Sequence, residues 1–353
     1  MRCYSDKSIR CKDSVHDMTC FNRSRPNFGF LFGNGSDGNV TISSNTNLSS
    51  TTDGDIVYKN YMNLTINSGC TLSVSNRCKG LWIRVRGTLV LNGAISMSNK
   101  GCFISGGGSD LYLCYSDIKV PAIGAAGGAR NASAGGAGGA GANGVDGQCG
   151  GGGAGGTSAN WSYKQGYGGY GAAGFVGGGG TGGGGGAVAT YDPNRGDVGQ
   201  KDDGENGLLH GERGGNGRYV SSYWSPDNVT ATSGGGAGGV AAGANGSPGV
   251  GSGGVLIIMA NRIEGNGSLL SIGANGGNGT TSRPSGECSA GGGGGSGGGS
   301  ITLMYMTINS TWSINASGGA GGSGSRSGGN GGAGGIGSYR VYSTQQLASH
   351  TRV

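Results

Sequence analysis

Charge, proline, histidine and long apolar runs are all scarce in this chain, and each scarcity closes off a class of protein. Only 12% of the 353 residues are charged, with a net charge of +6. No Lys/Arg stripe is interleaved with aromatics, so nucleic acid is not an expected partner. Three histidines (His16, His210, His350) and no Cys-x-x-Cys pair leave no zinc signature. The histidines also lack a nucleophile or carboxylate companion, and the Gly-rich stretches lack the Lys-Ser/Thr of a phosphate loop. Neither an enzyme nor a bound cofactor or metal is therefore expected. No stretch reaches the ~18 consecutive apolar residues of a membrane span. The opening Met1-Arg-Cys-Tyr-Ser-Asp-Lys7 has no apolar core of a secretory signal. Six prolines are too few for collagen, and the Gly repeat has the wrong form for it.

What is abundant is glycine, 89 residues of it. From Gly124 onward it gathers in tracts where a single small residue separates pairs of glycines. In Ala134, Ala137, Ala140 and again in Asn330, Ala333, Ile336 the non-Gly residue returns every third position. Neither an α-helix nor a strand has that period, whereas a threefold polyproline-II-type helix does. Such composition commonly means disorder. Here the tracts are short, strand-like apolar segments recur between them, and those segments end in similar words. A free glycine chain loses more entropy on ordering than any other, roughly 0.5–1 kcal/mol per residue beyond Ala. Only dense lateral backbone pairing offsets that, and the expected result is a packed polyglycine-II bundle.

Between Gly33 and residue 123 the pattern is β. Val40–Ile42, Leu64–Ile66, Thr71–Val74, Leu81–Val85, Thr88–Leu91 and Ala94–Met97 are short runs punctuated by Asn-Gly and Asn-Ser-Gly turn words. The unit Leu89–Met97 (apolar strand, Asn-Gly turn, apolar-Ser-apolar) returns at Val255–Ile272 and Ile301–Ile314. Similar units that cannot bury both faces alone are expected to stack. The predicted fold is all-β, with little or no helix: a stacked β scaffold of β-helix or sandwich type joined to the glycine bundle. Along the chain this gives a basic, Cys-bearing arm (1–32), the scaffold (33–123), a Gly-rich region (124–254), returning β units (255–317), a last Gly tract (318–337) and a tail (338–353).

Nine cysteines suggest an oxidising compartment, yet no route to one is visible. A virion protein, assembled inside a cell and then released, reconciles the two. Cys70 with Cys78 and Cys102 with Cys114 are the sequence neighbours suited to bridge. The alternative is that they are reduced, small apolar residues packed in a sheet.

The blocks Phe32–Ile42, Tyr61–Gly69 and Arg86–Ser96, with the Gly/strand/Asn-Gly alternation of Gly253–Gly337, resemble glycine-rich tail proteins of bacteriophages. A looser likeness is to the distal receptor-binding adhesin of long tail fibres. The resemblance implies a non-enzymatic protein exposed on the virion and extracellular after release. It would be anchored to other virion proteins through its N-terminal region, oligomeric as a trimer in one arrangement, and in contact with a host surface protein or glycan. Under that reading the contact residues lie on loops inserted in the Gly region. One loop, 157–170, holds Trp161, Tyr163, Tyr167 and Tyr170; the other, 187–232, holds Tyr191, Arg195, Arg218, Tyr219, Tyr223 and Trp224. Aromatic and Arg residues on Gly/Ser-rich loops have the composition of adaptable recognition surfaces. The competing reading is that these aromatics cap the bundle. Arg195-Gly-Asp197 and the acidic residues around it are read as a solvated loop, and the Asn-x-Ser/Thr words as turn composition. A purely structural virion component and a secreted matrix or ice-binding protein are the rival functions.

Overall fold

The computed structural model describes residues 31–102, 111–112, 119–121, most of 124–157, 167, 170–174, parts of 178–188, 201–202, 231–232, 251–281, 289–325 and 328–344. The strands in chain order are β1 (Asn39–Ile42), β2 (Thr46–Leu48), β3 (Val57–Tyr61), β4 (Asn63–Ile66), β5 (Thr71–Val74), β6 (Leu81–Leu91) and β7 (Ala94–Ser96). Five two-residue strands follow: β8 (Leu111–Tyr112), β9 (Lys119–Val120), β10 (Ala187–Val188), β11 (Lys201–Asp202) and β12 (Ala231–Thr232). The remainder are β13 (Val255–Gly265), β14 (Ser268–Leu270), β15 (Thr280–Thr281), β16 (Ser289–Ala290), β17 (Ser300–Ser310), β18 (Ser313–Asn315) and β19 (Ser338–Ser343).

The protein is all-β, and its two main sheets are parallel throughout. The larger runs β1-β4-β6-β13-β17-β19, with β3 also on β6, and the smaller runs β18-β14-β7-β5-β2. The chain alternates between them: β1 leads to β2, β4 to β5, β6 to β7, β13 to β14 and β17 to β18. The repeated sequence unit sets the stacking. Leu269 of β14 sits beside Ile95 of β7 on one side and Ile314 of β18 on the other. Ile263 of β13 pairs likewise with Leu89 and Ile308.

The core lies between the two sheets. Leu64, Ile83, Leu89, Leu256, Ile258 and Leu303 from the larger sheet meet Leu72, Val74, Ile95 and Leu269 from the smaller. In β13 the whole run Val255–Ala260 is buried, because the outer face of the larger sheet is covered too. There Val255, Ile257 and Met259 pack with Trp82, Met304, Leu31, Phe32 and Cys149. Phe32, at the end of the aromatic Phe28–Phe32 segment, is thus a plug on this face; Phe28 and Phe30 lie outside the described residues.

Several outcomes differ from the sequence reading. β2 and β3 have no apolar run and were not expected. Leu81–Leu91 is one strand rather than two, continuous through Arg86-Gly87 because a register shift against β13 absorbs the extra residue. A Cβ at Gly87 would overlap the Met62 carbonyl and the Asn63 side chain, so only glycine fits. The stretch read as a tail opens with a strand, Ser338–Ser343, that extends the larger sheet. The expected Cys70–Cys78 bridge is corrected: both are separate, buried free thiols. Cys78 bridges the backbone of Gly54 and Gly101 and points its thiol at the Gly80 carbonyl, 3.3 Å away. Cys70 sits in the turn before β5, its sulfur 3.9 Å from the Ser68 carbonyl. Cys102 is also a buried free thiol rather than half of a bridge to Cys114, which lies outside the described residues.

Candidate functional site

The Gly tracts form extended rods joined laterally by backbone hydrogen bonds of period three. In the 150–157 rod, Gly150, Gly153 and Gly156 donate to the carbonyls of Gly298, Gly295 and Gly292. Gly151, Ala154 and Thr157 donate to Ala142, Gly139 and Gly136, and Gly152 donates to Ala172. The carbonyls follow the same period, accepting from Gly335, Gly332 and Gly329, from Gly180 and Gly183, and from Gly128. This rod therefore touches six others: 124–128, 136–142, 171–174, 180–183, 292–298 and 329–335. A threefold helix directs successive amides about 120° apart, which is the geometry such packing needs. Side chains cannot enter: a Cβ on Gly150, Gly153 or Gly156 would overlap the carbonyl of Gly335, Gly332 or Gly329. The rod at 291–299 is buried over its whole length.

The outermost rods show where non-Gly residues go. In 328–337 only Asn330, Ala333 and Ile336 are exposed, and in 317–324 only Ala320 and Ser323. In 273–279 only Asn275 and Asn278 are exposed, and 136–144 exposes Ala137, Ala140, Ala142 and Asn143. Asparagine adds a recurrent clasp. Asn275 Oδ1 accepts from the amide of Ala320 (2.8 Å) while the next residue, Gly276, donates to the Ala320 carbonyl (2.8 Å). Asn278 with Gly279 holds Ser323 the same way, and Asn143 with Gly144 holds Ile336.

The rods share an orientation relative to the sheets. Residues 299, 317 and 337 adjoin strands, so that end of the slab is rooted in the sheets. At the opposite end stand Gly136, Thr157, Gly292 and Gly329, which the pairings above bring level with one another; Gly183 stands one repeat nearer the sheets, beside Gly153 and Gly294. The 150–157 rod ends at this far end with Thr157, and β10, downstream of Gly183, pairs with β16 just ahead of the 291–299 rod. The 171–174 rod pairs with 150–157 and runs back toward the sheets, whereas Gly251–Gly254 lie at the sheet-rooted end, pairing with Gly178–Gly179 and Gly101 and leading directly into β13.

Of the residues proposed for recognition, Tyr167 is half-buried and Tyr170 is 43% exposed, just ahead of the 171–174 rod. Trp161, Tyr163, Tyr191, Arg195, Arg218, Tyr219, Tyr223 and Trp224 lie outside the described residues. Missed in the sequence was a cluster on the larger sheet: the Arg84 guanidinium stands 4.6 Å from the Trp82 ring centre and Tyr58 stacks against the same ring at 5.2 Å. The register of β3 on β6, which pairs Tyr58 with Trp82, is what assembles it. At the sheet-rooted end, Val145, Ile336 and Tyr339 are exposed around an open groove of about 550 Å³ that also borders Ile314–Ser317.

The electrostatics are sparse. Lys79 bridges Asp55 at 2.6 Å and Arg77 bridges Asp53 at 2.7 Å, each linking neighbouring passes of the chain. The Lys79 hydrogen bond holds the Asp55 carboxyl below its ordinary range. Burial pushes the Cys102 and Cys149 thiols up to about 12 and the Cys78 thiol up as well, so none is a ready nucleophile. Among the described residues no group of three or more His, Cys, Asp or Glu could hold a metal ion, and no helix is long and apolar enough to cross a membrane. No protein-family model, curated protein or solved structure matches the chain.

Proposed function

We propose that the protein is a non-enzymatic virion attachment protein of phage-tail type. Its stacked parallel sheets act as a β-helix-like base, and a polyglycine-II slab grows from that base. The slab carries the 157–170 and 187–232 loops to a host surface protein or glycan. The observation that carries this reading is the direction of the rods that feed the loops: 150–157, rooted at Cys149 on the larger sheet, and 178–183, which starts beside Gly101 and Gly254, run side by side away from the sheets, so both loops are entered from the far end of the slab. A bundle held by backbone pairs in six directions is stiff, and stiffness limits the entropy lost when loops engage a receptor. The loop composition, Tyr, Trp and Arg among Gly and Ser, suits stacking on sugar rings or inserting into protein pockets. The N-terminal arm ending in the Phe32 plug is suited to join the base to other virion proteins.

The test replaces residues 158–166 and 189–232 by Gly/Ser stretches of equal length and measures retention of the purified protein on host cells and glycan arrays. The reading requires retention to fall at least about tenfold while the slab amides stay protected from hydrogen exchange. Undiminished retention with an intact slab would leave the purely structural role standing instead.

A further inference from the structure

Among the described residues the slab presents a broad face with no charge on it. The rods at 136–144, 273–279, 317–324 and 328–337 contain no Lys, Arg, Asp or Glu. Exposed β edges are ordinarily guarded against pairing with another molecule by charged side chains or proline. This face has neither, yet it displays the same threefold backbone repeat that joins rods inside the slab. The surface most closely matched to it is therefore the corresponding face of a second copy of the chain.

The guard is asparagine. In the buried 150–157 rod the amides of Gly150–Ala154, Gly156 and Thr157 donate to the carbonyls of other rods. On the outer rods the amides of Ala320, Ser323 and Ile336 donate to the side chains of Asn275, Asn278 and Asn143. Each Asn thus stands where the next rod's carbonyl would be. We propose that Asn143, Asn275 and Asn278 terminate the glycine lattice: they occupy the outward donors of Ala320, Ser323 and Ile336 and so confine the slab to one molecule, which would otherwise accept a second copy.

The test is the triple variant Asn143→Ala, Asn275→Ala, Asn278→Ala, followed by sedimentation over a concentration series beside the unaltered chain. The expected result is reversible association at least about tenfold tighter than that of the unaltered chain, with amides of 150–157 still protected. Adding Ala140→Lys and Ala333→Lys to the triple variant should return it to the unaltered behaviour by placing charge on the face. Sedimentation identical to the unaltered chain would overturn the proposal. So would association that the lysines do not reverse, or that accompanies loss of protection in the buried rod. If the triple variant does not fold, Asn278→Ala alone is read in the same way.

Discussion

At the scale of single residues, position within the three-residue repeat decides everything. Gly153 faces the Gly332 carbonyl so closely that a methyl group has no room, while Ala333, one residue on from Gly332, is exposed. Gly153→Ala should therefore cost about 1–3 kcal/mol through overpacking against rigid backbone. Ala333→Ser should stay within about 0.5 kcal/mol. Denaturant midpoints of the two variants check the contrast. The thiols give a second residue-scale prediction. Cys102 and Cys149 have folded-state values raised from 9.0 to about 12 by burial, so between those values the native state keeps protons that the unfolded chain has lost. Stability is then fully present below pH 9 and declines as pH rises towards 12. Thermal unfolding across that interval should show Tm falling with pH, and Cys102→Ala with Cys149→Ala should flatten the slope. Iodoacetamide at pH 8 should leave Cys70, Cys78, Cys102 and Cys149 unmodified until the protein unfolds, because all four are buried.

At the scale of strands, apolar contact between the sheets outweighs the ion pairs that decorate them. Ile258 is fully buried within the core shared by both sheets. Ile258→Ala should cost about 2–5 kcal/mol, whereas Lys79→Ala, removing a pair whose Asp55 is largely solvent-exposed, should cost less than about 1 kcal/mol. Equilibrium unfolding in urea distinguishes them. The strands readable in the sequence are those whose burial comes from alternating or continuous apolar side chains, such as Leu64–Ile66, the two halves of β6 (Leu81–Val85 and Thr88–Leu91) and Val255–Met259. Thr46–Leu48 and Val57–Tyr61 were not readable, since their pairing with β5 and β6 rests on backbone register rather than on an apolar pattern. The Cys70–Cys78 expectation failed for a related reason. Closeness in sequence says little about which rung-to-rung position a thiol occupies, and Cys78 pairs across the sheet with Gly54 and Gly101. The asparagine clasps were equally hidden, because Asn-Gly reads as a turn word until the partner 45 or 193 residues away is known.

At the scale of the whole molecule, two kinds of cohesion are joined end to end. Side-chain burial holds the sheets, and backbone pairing holds the slab, which has almost no side chains to bury. The join itself is apolar: Cys149, at the sheet-rooted end of the 150–157 rod, packs with Trp82, Ile257 and Met304 on the outer face of the larger sheet. The period of three in the glycine tracts was legible from the sequence; the six-neighbour arrangement was not, since nothing local specifies which rods become adjacent. Everything proposed for this protein requires that the slab be rigid in solution. Native-state hydrogen exchange resolved over residues 150–157 and 291–299 tests this most directly. The account predicts protection comparable to that of β6 and β13, with opening only by global unfolding. Exchange of those amides at the rate of an unstructured glycine peptide, while β6 and β13 remain protected, would contradict it.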